Sequence, residues 1–279
     1  MIKSILLPID GSPYTEAVLE YGDFFAQKFG ALLRVLTVID IRLFDWSVAT
    51  SADSFVPIMP SAEFQEESQR IQSEKADKVI QKASEILNAK KRTFEIIKVS
   101  GIPVDEICQT AKTTDLVVMG IRGEYEKWSG KLLGATTESV TRQISKPMML
   151  VDKEFVPFEQ IHCGYDGTAV ANHALQMAAF LASSMNLPLK VISVFDSEEE
   201  REAVLNEARQ YLAPYKIKFD LMPETGDPDE VLVNVQNNAA KPSLMVIGGY
   251  GHSRLREAIL GSTTVHVMRK AQKPILMVK

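Results

Sequence analysis

Residues 244–279, LMVIGGYGHSRLREAILGSTTVHVMRKAQKPILMVK, repeat with variation the pattern of residues 116–152, LVVMGIRGEYEKWSGKLLGATTESVTRQISKPMMLVD. Each stretch passes from an apolar run through a Gly-x-x-Gly turn and a polar segment to a helix start that carries hydroxyl groups. Each then ends with Lys-Pro and another apolar run. An internal repeat of this size is typical of a duplicated domain. The chain is therefore expected to contain two similar halves.

The repeat belongs to a longer alternation of apolar runs and amphipathic stretches. Most of the runs are apolar on consecutive residues, as is typical of strands covered on both faces. Alternation of such strands with helical patterns predicts an α/β fold with a parallel sheet. The candidate strands are residues 4–10, 32–40, 94–100, 116–120, 147–151, 160–166, 189–196, 217–223, 244–248 and 274–278, and the main helical patterns are residues 15–29, 64–88, 173–185 and 198–212.

Turn and cap residues divide the chain and its helices. Pro157 marks a short linker, which gives a first half of residues 1–153 and a second half of residues 157–279. Ser12 followed by proline predicts the N-cap of the first helix, and Gly30 predicts its C-terminal end. Thr168 is expected to cap the corresponding helix of the second half.

The first half is longer than the second. Asp10 and Gly120 are 110 positions apart, whereas Asp166 and Gly248 are 82 positions apart. Most of the extra length forms an insertion around residues 41–63. A segment of this length is typical of either a functional lid or a disordered tip, and its aromatic residues favour packing.

Composition excludes several classes of protein. The net charge of −5 provides no basic field for a general binder of nucleic acid or of membrane surfaces. The sequence has no apolar run of membrane-spanning length, and its N-terminus lacks a signal-peptide cleavage region. Cys108 and Cys163 form neither a disulfide framework nor a metal cluster, and no histidine pair has a metal-ligand context. We therefore expect a cytoplasmic protein.

A candidate anion site lies in the second half. Gly248 and Gly251 bracket two residues, and nine residues later Gly261 precedes Ser262 and Thr263. Glycines between a strand and a helix let backbone N–H groups approach phosphate oxygens, and the hydroxyls with the first helical turn would complete the site. A lone Gly-x-x-Gly is more often only a turn, but the long spacing and its repetition favour phosphate binding.

An aspartate ends the first strand of each half. Asp10 and Asp166 are followed by Gly-Ser and Gly-Thr, and they are expected at the same edge of the sheet as the glycine turns. A carboxylate there could accept hydrogen bonds from ribose or from an adenine amino group. It could equally close a local turn or cap a helix.

These motifs resemble those of tandem universal stress proteins, whose ATP-binding members carry Gly-2x-Gly-9x-Gly-(Ser/Thr). Residues 248–262 match that motif completely, and the first-strand aspartate of the family corresponds to Asp10 and Asp166. The Gly-x-Pro segment of the family is present at 101–103 and 226–228. The resemblance covers nearly the whole chain. It implies two Rossmann-like domains of the adenine nucleotide alpha hydrolase-like type, each an open five-stranded parallel sheet with helices on both faces.

The resemblance also implies how a nucleotide is held. In ATP-binding relatives the base contacts backbone near the end of the second strand, which corresponds to Val38 and Val194. The residue before the aspartate lines the same site, which corresponds to Ile9 and Tyr165. ATP, AMP or ADP is the implied ligand, with Mg²⁺ as a possible counter-ion of the phosphates.

The first half departs from the family motif. Gly120 and Gly123 are present, but ten residues separate Gly123 from Gly134. Ala135 stands in the position of the hydroxyl residue, although Thr136 follows. The extra residue shifts the N–H groups of the loop, so the second half is the stronger prediction for nucleotide binding.

The expected function is adenine-nucleotide binding in a stress-response or regulatory protein, with the nucleotide acting as a ligand rather than a rapidly consumed substrate. The resemblance further implies an internal pseudo-dimer that pairs through the final strands of the two halves, a possible homodimer, and a protein partner that the motifs do not identify. A slow ATPase or other nucleotide-processing enzyme is one alternative, although no general base, arginine cluster or Mg²⁺-binding acidic pair is evident. A nucleotide-free interaction module is the other.

Overall fold

The described part of the chain forms one continuous sheet of ten strands, ordered β3-β2-β1-β4-β5-β10-β9-β6-β7-β8. The computed structural model describes residues 1–44, 62–124, 133–249 and 262–279, so most of the predicted insertion at 41–63 lies outside the described residues. The strands are β1 Ser4–Pro8, β2 Leu32–Asp40, β3 Phe94–Gly101, β4 Leu116–Gly120, β5 Met148–Val151, β6 Gln160–Gly164, β7 Leu189–Val194, β8 Phe219–Glu224, β9 Ser243–Gly248 and β10 Ile275–Val278.

Helices cover both faces of this sheet in the described ranges, and their apolar sides form two buried clusters, one on each face. A short 3-10 helix, Ile41–Phe44, follows β2. No described helix is long and apolar enough to cross a membrane. The α-helices are α1 Thr15–Phe29, α2 Ala62–Ala89, α3 Pro103–Ala111, α4 Ala135–Gln143, α5 Ala169–Met185, α6 Glu198–Leu212, α7 Pro228–Asn237 and α8 Ser262–Lys270.

The strand pairing confirms the predicted α/β fold of two five-stranded domains. Within each half the strand pairs are parallel, as for β1 with β2 and for β6 with β9. The two halves meet at β5 and β10, which pair antiparallel with Leu276 opposite Met149. All four residues of each of these strands are buried. The five-stranded sheets are therefore joined edge to edge, and each shields the apolar final strand of the other.

Two of the predicted helix ends are confirmed and one is wrong. Gly30 ends α1 with a left-handed φ of 62°, and Thr168 caps α5 by accepting a 3.2 Å hydrogen bond from the Ala171 N–H. Ser12 does not cap α1, which begins only at Thr15. The reason is a tight turn before the helix, in which the Ser12 N–H donates to Asp10 Oδ1 at 3.0 Å and the Gly11 N–H donates to Thr15 Oγ1 at 3.0 Å.

Aromatic packing fixes the two halves around the linker. The Tyr21 hydroxyl of α1 donates to the Val156 carbonyl at 3.0 Å and accepts from the Val156 N–H at 3.2 Å. The Tyr21 ring meets Phe155 edge to face, with ring centroids 4.7 Å apart. Phe29 of α1 stacks on Phe180 of α5 at 5.6 Å. The linker and the first helix of each half thus share one partly buried aromatic layer.

A buried histidine lies in the middle of the second half. His162 on β6 is 1% exposed, and neither ring nitrogen has a hydrogen-bond partner among the described residues. Burial, and then the charges of Lys190 and Lys273, lower the pKa of His162 to about 4. The folded state therefore holds this ring neutral.

This lowered pKa predicts that the protein loses stability in mild acid. As the pH falls from 6.5 towards 4, the unfolded chain gains a proton at His162 that the folded chain does not, so stability present above pH 6.5 is lost across this window by up to about 3 kcal/mol. Urea denaturation between pH 7 and pH 4.5 measures the loss. His162→Leu should flatten the dependence, whereas the exposed-site control His173→Gln should not. An equal slope in wild type and His162→Leu would contradict the assignment.

Candidate functional site

A cavity of about 400 Å³ opens at the carboxyl ends of β1, β2 and β4 in the first half. This is the size range of small-molecule and cofactor sites. Ligands of open α/β sheets bind at this edge, where neighbouring helices leave a crevice. Much of its wall is apolar and is contributed by Pro8, Ile9, Val18, Leu36, Val38, Val79, Pro103, Ile107 and Met119.

All seven residues that the motifs predict for a first-half site line this cavity. They come from four separate parts of the chain, which the fold brings to one edge of the sheet. The residues are Ile9, Asp10, Val38, Gly120, Gly123, Gly134 and Thr136. What they bind stays a prediction.

Asp10 closes its own turn and also reaches the glycine loop. One carboxylate oxygen accepts the Ser12 N–H, which is the local turn expected of an aspartate followed by glycine. The other oxygen accepts the backbone N–H of Glu124 at 2.9 Å. Asp10 therefore joins the end of β1 to the turn that follows β4.

The glycines of the first half allow close approach of backbone. A Cβ atom at Gly120 would lie 2.6 Å from Cβ of Tyr14, and one at Gly123 would lie 2.5 Å from Oδ2 of Asp10. Gly134 precedes α4 without a side-chain cap, which leaves the first helical turn facing the cavity. Thr137 secures this helix start by donating a 3.0 Å hydrogen bond to the Gly120 carbonyl. Such a helix start attracts anions.

One buried hydroxyl in the cavity wall lacks a partner. Thr37 on β2 lines the cavity and is 4% exposed, yet its Oγ1 makes no hydrogen bond within the described residues. Burying a hydroxyl without a partner is unfavourable. In native proteins such a group often forms its hydrogen bond with a bound water molecule or ligand. The corresponding hydroxyl of the second half, that of Ser193, is also buried and has no partner among the described residues.

Several polar residues of the cavity were not predicted from the sequence. Gln72 and Lys75 reach it from α2, and Lys75 forms an ion pair with Glu124. Arg122 lies within the Gly-x-x-Gly turn, and its position between two predicted glycines was a signal that could have identified it. The sequence of α2 gave no comparable signal, because a helical pattern does not show which strands the helix will cover.

Asp40 also lines the cavity, at the end of β2. Burial by itself would raise the pKa of Asp40, but its hydrogen bonds to Arg42, at 2.9 and 2.6 Å, lower that pKa below its usual range. The carboxylate is therefore ionised at neutral pH and already engaged by a guanidinium group.

The second half repeats part of this geometry. Asp166 Oδ1 accepts from the Thr168 N–H and hydroxyl, at 3.1 and 2.7 Å. Thr264 donates to the Gly248 carbonyl at 2.9 Å, just as Thr137 does to Gly120. Val194 is half-buried at the end of β7.

Two further predicted residues of the second half are described in part. Burial raises the pKa of Tyr165 to about 12, and its hydroxyl donates to Asn172 at 2.7 Å. Thr263 is half-buried in the first turn of α8, which begins at Ser262. Gly251 and Gly261 lie outside the described residues, so the predicted phosphate loop of the second half stays a prediction.

Comparison with known proteins finds the same family in both halves of the chain. The model of the universal stress protein family matches residues 1–152 and again residues 157–279. The chain belongs to the universal stress protein family. It is 29% identical to a universal stress protein of Synechocystis, over 99% of both chains, and 22% identical to one of Mycobacterium tuberculosis, over 99% of this chain and 94% of that one.

A solved structure shows the same fold over the whole tandem chain. The universal stress protein from Archaeoglobus fulgidus superimposes with a TM-score of 0.77 and 24% identity, covering 99% of this chain and 98% of that one. At this identity the likeness concerns the fold of this universal stress protein and not its ligand.

The two buried threonines of the cavity predict opposite effects of the same substitution. Thr37→Val removes a buried hydroxyl without a partner and should raise the free energy of unfolding of the ligand-free protein by about 1 kcal/mol. Thr137→Val removes a hydroxyl that binds the Gly120 carbonyl and should lower it by about 1 kcal/mol. Urea denaturation of the two variants measures both. A loss of stability in Thr37→Val would show that its hydroxyl is satisfied in the folded protein.

Proposed function

We propose that this universal stress protein binds an adenine nucleotide, ATP, AMP or ADP, as a regulatory ligand. The observation that carries the proposal is the first-half cavity, in which the seven residues expected from the ATP-binding relatives lie together. The proposal includes a cytoplasmic location, two domains with boundaries at 1–153 and 157–279, and a homodimer of the tandem chain.

The apolar wall of the cavity suits a purine and its ribose. Ile9 and Val38 supply apolar surface at the ends of β1 and β2. The Thr37 hydroxyl lies in the same wall and has no hydrogen-bond partner within the described ranges. Asp10 supplies a carboxylate at the end of β1, and an acidic residue at the carboxyl edge of the sheet binds ribose hydroxyls in other nucleotide-binding α/β folds.

The wall formed by the glycine turn and the start of α4 suits phosphate groups. The close glycine backbone at Gly123 and Gly134 leads into the start of α4, and Lys75 and Arg122 bring positive charge to the same cavity. No three His, Cys, Asp or Glu side chains of the described ranges are grouped as ligands for one metal ion. A Mg²⁺ ion that accompanied ATP would be held by the phosphates, by water and by at most one or two carboxylates.

The second half carries the complete family motif over 248–262, so the proposal extends to a second nucleotide site there. The nucleotide acts by favouring one conformation or one protein partner of the chain. In this reading hydrolysis is slow and is not the purpose of binding. Rapid Mg²⁺-dependent turnover would instead identify a nucleotide-processing enzyme.

The proposal predicts nucleotide binding that is lost one site at a time. Gly134→Glu and Gly261→Glu each place a bulky negative group where phosphate is expected, so each should remove one of two sites, and the double variant should bind none. Isothermal titration with ATP gives the stoichiometry, and denaturing the purified protein identifies any nucleotide that copurifies.

The matched control is Gly30→Asn, which adds a side chain where, apart from the chain neighbours of Gly30, no described heavy atom lies within 4 Å of a Cβ. It should leave both sites intact. Absence of ATP, ADP and AMP binding by folded wild-type protein would sink the nucleotide proposal and leave an interaction module. Binding that survives in the double variant would show that the glycine loops do not hold the ligand.

A further inference from the structure

An ion pair joins two elements of the wall of the first-half cavity. Lys75 comes from α2, and its ammonium group binds the carboxylate of Glu124, which directly follows Gly123. Both residues line the cavity, and the side chains are 40% and 46% exposed. The pair therefore links the helix above the cavity to the loop where phosphates are expected.

Asp10 binds the backbone of the same loop. Its carboxylate accepts the Glu124 N–H at 2.9 Å and lies 2.5 Å from the position of a Cβ at Gly123. One carboxylate, that of Asp10, thus binds a backbone donor of the loop, and a second, that of Glu124, binds Lys75. Both the backbone donor and Lys75 are groups that a phosphate would use.

We propose that Lys75 is a phosphate-binding residue and that Glu124 is its competitor, so that this pair sets how strongly the first-half site prefers nucleotides with more phosphates. The inference rests on the proposed nucleotide site. A ligand phosphate takes Lys75 from Glu124, and the freed carboxylate turns towards solvent. Adenosine, which has no phosphate, leaves the pair in place.

The charges decide the direction of each effect. Exposed ion pairs contribute little to stability, so exchanging Glu124 for a phosphate at Lys75 costs little. A lysine that meets several phosphate oxygens gains more than one that meets a single carboxylate, because the phosphates carry more charge. Glu124 opposes this gain, since its negative charge stays near the bound phosphates.

Two substitutions at the pair should therefore act in opposite directions. Lys75→Met should weaken ATP binding about tenfold, and Glu124→Gln should tighten it about threefold, because the latter frees the lysine and removes a repelling charge. Adenosine affinity should change in neither variant. Isothermal titration with adenosine, AMP and ATP in a Gly261→Glu background isolates the first-half site, and circular dichroism checks folding.

Lys82→Met is the matched control. Lys82 lies on the same helix and pairs with Glu16 at 3.6 Å, but it is not among the residues that line the cavity. It should leave ATP affinity unchanged. Equal weakening by Lys75→Met and Lys82→Met, or weakening of ATP binding by Glu124→Gln, would overturn the inference and make the pair a structural contact. If the Gly261→Glu protein binds neither adenosine nor ATP, the first half contains no nucleotide site, and it is the proposed function that fails there.

Discussion

The antiparallel pairing of β5 with β10 is the constraint on which the tandem arrangement depends. Both strands are apolar and fully buried, so their backbone N–H and C=O groups need partners within the protein. The final strand of each half provides hydrogen-bond partners for the final strand of the other, and the described strands form one sheet of ten. Because the strands are parallel within each half and antiparallel at the junction, the carboxyl edges of the two halves point in opposite directions. The two candidate sites therefore lie at opposite edges of the sheet.

Around this junction, the two halves reproduce one local design. In each, an aspartate closes a turn through a glycine with positive φ, Gly11 at 78° and Gly167 at 76°. In each, a threonine of the helix start binds the carbonyl of the glycine that ends a strand, Thr137 on Gly120 and Thr264 on Gly248. These contacts hold the helix start against the strand end without any ligand. The glycines thus have a structural role that is compatible with anion binding, and the two interpretations are not exclusive.

The first-half cavity shows how a departure from a motif can still leave a site. The extra residue and Ala135 weakened the prediction for this half, yet the motif residues that border the loop line one cavity. These residues lie together because they stand at the carboxyl ends of neighbouring strands and at the start of α4. The cavity also contains charged residues from outside the motif. Lys75 of α2 forms an ion pair in its wall with Glu124, which follows the glycine turn.

The sequence alone determined the duplication, the ten strands, the α/β class and the residues at the strand ends, because these follow from local periodicity and from short motifs. It misplaced the start of α1, since a turn closed by Asp10 and Thr15 delays the helix beyond Ser12. The pairing of the two final strands, β5 with β10, was implied by the family resemblance and is confirmed. Only the tertiary structure decided that Lys75 meets Glu124 and that Thr37 keeps a buried hydroxyl without a partner in the described chain. These contacts join residues distant in sequence, and their geometry depends on how helices and sheets pack, which no local pattern specifies.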